Sequence, residues 1–131
     1  IPFNTATRVQ FNSVEYDTGS LVTTGATWHF TAPKTGFYRI GTRVDPYYAL
    51  TSTTQAELRF YYDSGAKSTV MGARWNDPQQ SFPILNGNTT VYMDTGDTAW
   101  FEIWHNSGNT FEIDGTGGEL SYCTIEFAGS P

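Results

Sequence analysis

The chain has 131 residues, carries a formal charge of −6 and is 16% aromatic. Its seven basic residues stand singly and form no basic run, which argues against nucleic acid or an anionic membrane surface as the main partner. No apolar stretch approaches the ~20 residues of a membrane-spanning helix, so no membrane insertion is expected.

Thr and Gly are abundant, while the helix fillers Lys and Leu are scarce. That balance places the chain in the all-β class, with a length suited to one domain over residues 1–131. Alternating or β-rich runs predict strands near residues 6–12, 28–31, 36–45, 56–62, 68–75, 89–93, 98–105 and 119–127, with short pairings around 14–17, 20–24 and 110–113. Turn residues separate these runs from end to end, a cadence that points to a sandwich or jelly roll. Pro33-Lys34-Thr35-Gly36 opens the third run, the second long one, and Asp63-Ser64-Gly65 joins the fourth to the fifth. Asn76-Asp77-Pro78, Asn86-Gly87-Asn88, Asp94-Thr95-Gly96-Asp97 and Gly115-Thr116-Gly117-Gly118 read as further turns. No segment repeats with a helical period, so helix should be nearly absent.

Alternation sorts the long strands into two faces. Tyr38, Ile40, Thr42 and Val44 oppose Phe37, Arg39, Gly41 and Arg43. Leu58, Phe60 and Tyr62 oppose Glu57, Arg59 and Tyr61, and Ala99, Phe101, Ile103 and His105 oppose Trp100, Glu102 and Trp104. A period of two does not by itself say which face is the core. Cys123 is alone, which forbids an internal disulfide, and its place in an alternating strand reads as a small buried hydrophobe.

Several motifs resemble the C1q/TNF-like superfamily, the C1q side more than the TNF side. They are Phe11-Asn12-x-Val14 with Tyr16-Asp17, then Gly25-x-x-x-x-Phe30-Thr31-Ala32-Pro33, Gly36-Phe37-Tyr38-x-Ile40, Gly96-Asp97-x-Ala99-Trp100-Phe101 and the closing Phe127-Ala128-Gly129. Two departures stand beside them. The last strand lacks the family's Phe-x-Gly-Phe-like pattern, and Asp-Pro-Tyr-Tyr interrupts the chain within residues 45–54. The resemblance implies a jelly-roll sandwich of two five-stranded antiparallel sheets, assembled as a homotrimer that serves for recognition and not as an enzyme. It puts Tyr38, Ile40, Thr42 and Val44 in the core. Phe37, Arg39, Arg43, Tyr122 and Glu126 then face neighbouring subunits, with Glu126 the candidate partner for the arginines.

On the other sheet the resemblance turns Trp100, Glu102 and Trp104 outward beside Arg59 and Tyr61. Flat rings flanked by a carboxylate and a guanidinium suit stacking on a sugar or gripping a protein partner. The competing reading is that loops or the rest of a longer protein cover them.

Paired carboxylates are present, but mostly in turns, and no nucleophile lies beside a base, so no catalytic residue is assigned. One Cys and two separated His do not make a zinc site. Calcium is the one cofactor with material, in Asp94, Asp97 and Asp114, although neither turn has the spacing of a dedicated calcium loop and turn formation explains all three. Asn88-Thr89-Thr90 is an N-glycosylation sequon. Beginning at Ile1-Pro2, the chain is expected to be the head of a longer protein at an extracellular or virion surface. Its expected partners are further copies of itself and a host-surface glycan or protein receptor. A carbohydrate-binding module of an extracellular enzyme, or a purely structural trimerisation or capsid-decorating domain, are the alternatives.

Overall fold

The computed structural model describes residues 5–11, 17, 19–45, 55–75, 85–106 and 121–131. The predicted pairings at 110–113, most of 14–17, and the turns at 76–78 and 115–118 lie outside them. Nine strands form among the described residues: β1 (Thr7–Arg8), β2 (Val22–Thr23), β3 (His29–Thr31), β4 (Gly36–Val44), β5 (Gln55–Tyr62), β6 (Lys67–Trp75), β7 (Leu85–Met93), β8 (Thr98–His105) and β9 (Tyr122–Gly129). Among the described residues there is no α-helix, and a single 3-10 turn, Asp63–Gly65, joins β5 to β6.

The strands divide into two antiparallel sheets, a jelly-roll-like sandwich. One runs β2-β3-β8-β5-β6, with β1 also paired to β8, and the other runs β7-β4-β9. The described strands split six and three, the six including two-residue pieces, β1 and β2.

The alternation in the sequence becomes burial directly. Along β4 the even-numbered residues from Tyr38 to Val44 are buried, and along β8 Ala99, Phe101, Ile103 and His105 are buried. Phe11, Trp28, Phe60 and Phe101 meet between the sheets, with ring centroids 5.1 Å apart for Phe11–Trp28 and 4.9 Å for Phe60–Phe101. Each fully buried large side chain of this kind contributes roughly 1.5–3 kcal/mol through removal from water. Thr42, buried among them, donates from Oγ1 to the Tyr122 carbonyl at 3.0 Å, so its hydroxyl is satisfied. The Trp28 indole Nε1 is buried without a partner among the described residues.

One expectation fails in an instructive place. Asn86-Gly87-Asn88 is not a turn but the start of β7, paired with Arg43, Thr42 and Gly41 of β4. Glycine is needed there for another reason: a Cβ on Gly87 would lie 1.8 Å from the Met71 carbonyl oxygen. The backbones of β6 and β7 approach at this point, where the two sheets meet, and only a residue without a side chain fits. The Asn88 sequon consequently lies within a strand, its side chain exposed.

Candidate functional site

The sheets present two outer faces, and the sequence-predicted residues fall on both. On the larger sheet, β8 lies between β1 and β5, so three strands set the rows. Trp100 stands opposite Tyr61. Glu102 lies between Arg59 of β5 and Arg8 of β1, and Trp104 faces Glu57. All five predicted ligand residues, Trp100, Glu102, Trp104, Arg59 and Tyr61, share this face and are half-buried.

Trp100 is the most engaged of them. Tyr61 stacks on it, centroids 5.8 Å apart and planes 7° apart, while the Arg8 guanidinium sits 4.2 Å from its ring centroid. Arg8 and Tyr61 arrive from strands on opposite sides of β8, so both faces of the indole are taken. Its Nε1–H donates to Glu102 Oε2 at 2.8 Å. A Cβ on Gly65, whose φ is +96°, would stand 2.8 Å from Trp100 Cη2, so the 3-10 turn closes over the far edge of the ring. Trp100 thus holds Tyr61 and Glu102 in place and has no open ring face of its own. The sequence marks Gly65 as a turn residue and leaves Arg8 outside the site. Their contacts with Trp100 depend on the β1–β8 register and on the approach of the turn to β8, which no local pattern encodes.

Arg59 is held by Glu57, whose Oε1 accepts from Nε at 2.8 Å and lies 2.7 Å from Nη2; Nη1 donates to Ser68 Oγ at 3.2 Å. Between these groups lies an open depression of about 200 Å³, counted out into solvent, lined by Ala6, Glu57, Arg59, Tyr61, Glu102 and Trp104. Trp104, unlike Trp100, stands at its edge with no ring stacked on it among the described residues.

The outer face of the smaller sheet is built differently. Phe37 and Tyr92 stand opposite each other, rings 5.6 Å apart in an edge-to-face contact, with Phe37 42% and Tyr92 40% exposed. Partial loss of water, and secondarily the Asp94 charge, raise the Tyr92 hydroxyl pKa. In the next row Arg39 faces Glu126, and their side chains form an ion pair of 2.8 Å. That is the pairing expected of Glu126. Arg43, opposite Tyr122, has Asp45 Oδ2 3.6 Å from Nη2 and a buried Nε without a partner. Tyr122 is 44% exposed.

Asp94 and Asp97 form the predicted turn, closed by the Asp94 N–H donating to Asp97 Oδ2 at 2.8 Å. Asp114 lies outside the described residues, and among those described no group of three acidic, His or Cys side chains could hold a metal. Cys123, on the inner side of β9, packs against the core, and burial pushes its thiol pKa up to about 12.

No protein-family model and no curated protein matches the chain. Among solved structures it is similar to Eiger TNF from S. frugiperda, with a TM-score of 0.58 at 14% identity over 84% of this chain and 70% of that one. At that identity the likeness shows the fold, a TNF-like jelly roll. Weaker likenesses are a family 35 carbohydrate binding module from an environmental isolate and a Paenibacillus sp. cycloisomaltooligosaccharide glucanotransferase. The module gives a TM-score of 0.40 at 16% identity over 98% of this chain and 93% of its own. The glucanotransferase gives 0.36 at 22% identity over 83% of this chain and 16% of its own.

Proposed function

We propose that this chain is a non-enzymatic recognition domain that assembles as a homotrimer through the outer face of the β7-β4-β9 sheet. Its β8–β5 face is then presented to a host-surface glycan or protein receptor, at an extracellular or virion surface. The observation that carries the reading is the unfinished state of the smaller sheet's face. Phe37, Tyr92 and Tyr122 are the large hydrophobics it leaves exposed, and they flank an ion pair lying in solvent. Monomeric proteins seldom leave such an aromatic surface open, and packing against a second copy would cover it. Three weak ligand sites held on one rigid head would raise avidity without adding a contact at any one site.

A monomeric carbohydrate-binding module would use the same β8–β5 face but leave the other face free. Light scattering on the purified chain separates the two. A mass three times the 14.6 kDa of one chain is expected, and a monomer at micromolar concentration would overturn the assembly.

A further inference from the structure

We infer that the depression on the β8–β5 face binds one neutral sugar ring, a pyranose with adjacent hydroxyls, laid across it on Trp104. This rests on the recognition reading and names the ligand of the same site. Shape supports it first. The depression encloses only about 30 Å³, room for about one water and far below the ~300 Å³ of pockets that engulf a small molecule. Its ligand must lie on it with one side still in water, as a sugar ring does.

The chemistry is the second support. Trp104 offers an apolar ring at one end, two residues or ~7 Å along β8 from the row holding Glu102 and Arg59. A pyranose has an apolar C–H face for the indole and a rim of hydroxyls for that row. Glu57 is engaged by Arg59 through Oε1 and Glu102 by Trp100 through Oε2. The second oxygen of each carboxylate makes no hydrogen bond to another described residue, which leaves two acceptors for hydroxyl protons. Because the pairs are already fixed, little side-chain freedom is lost when a ligand arrives.

Charge decides the class of sugar. Among the described residues of this face, Arg8 and Arg59 balance Glu57 and Glu102, which leaves no net charge to offer an ionic ligand. The chain as a whole stands at −6, and its field repels anions. Neutral hexosides fit these conditions, and sialylated or sulfated sugars do not. A single site of this shallowness should bind with a Kd on the order of 1 mM.

The test is a printed array of neutral and sialylated glycans, followed by NMR titration with the methyl glycoside of the best hit's terminal sugar. Indole N–H signals are read in the wild type, Trp104→Ala, Trp104→Phe and Glu102→Gln. Expected are neutral hits only, saturable shifts at tryptophan indoles, at least tenfold weaker binding for Trp104→Ala and Glu102→Gln, and retained binding for Trp104→Phe. An array without neutral hits, a preference for sialylated glycans, or a Trp104→Ala variant that is folded and binds normally would each overturn the inference. Light scattering on the same samples keeps the two proposals apart. A trimer blind to sugars overturns only the ligand, and a monomer that binds the glycoside overturns only the assembly.

Discussion

Both outer faces of the sandwich set aromatic rings beside an Arg–Glu pair, yet they treat them oppositely. On the β8–β5 face, Arg59 and Glu57 are 34% and 36% exposed and sit in a network with Ser68, while Trp100 is enclosed by Arg8, Tyr61 and Gly65. On the β4–β9 face, Arg39 and Glu126 remain 65% and 61% exposed with Phe37 and Tyr122 open beside them. The first face is complete within one chain except for a shallow seat. The second carries apolar area and a solvated pair that contribute little until something covers them. An exposed ion pair adds at most ~1 kcal/mol to folding, so stability alone does not account for that arrangement.

The comparison breaks most completely where the two sheets are joined. Gly87→Ala puts a methyl into the Met71 carbonyl and should cost ~3 kcal/mol or prevent folding, taking both faces with it. Urea denaturation reads the loss, and an unchanged midpoint would mean that β6 and β7 are not in such close approach.

The two tryptophans of β8 sharpen the contrast within one face. Trp100→Ala removes a ring packed by three neighbours and should destabilise by ~2 kcal/mol. Trp104→Ala should cost under ~1 kcal/mol while removing the seat for a ligand. Equal denaturation midpoints for the two variants would erase the distinction drawn between them.

Smaller still is the effect of the exposed pair on one folded chain. Arg39→Ala should shift stability by less than ~1 kcal/mol in dilute protein, and a larger loss at concentrations where the chain is monomeric would make the pair a structural one.

The least effect belongs to the edge of the larger sheet. Asp17 accepts from the backbone N–H groups of Leu21, Gly19 and Val22, and these bonds, Leu21 first, hold its pKa below the ordinary 3.8. Its folded value is the lower one, so its contribution is present above pH 3.8 and is lost as pH falls through that lower value. Acid titration followed by NMR should loosen Leu21 and Val22 first, and Asp17→Asn should remove that part of the pH dependence. An unaltered acid limb would show that the loop does not depend on the carboxylate.

Much of this was legible from period two alone. The inward sets of β4, β5 and β8 alternate strictly, and burial follows them. Arg39 met Glu126 because the strand order implied by the family resemblance places β9 beside β4. What local sequence does not carry is register between distant segments. Asn86-Gly87-Asn88 has turn chemistry, but pairing with β4 and the close passage of β6 draw it into a strand. Trp100 reads as an outward ring, and only the arrival of Arg8 and Tyr61 on its faces and of Gly65 at its edge shows that it is enclosed.

The claim that the two faces have separate duties is tested most directly by sedimentation velocity of the wild type, Arg39→Glu and Trp104→Ala side by side. The account predicts trimers for wild type and Trp104→Ala and monomers for Arg39→Glu. A monomeric wild type, or an Arg39→Glu variant that still sediments as a trimer, would contradict it.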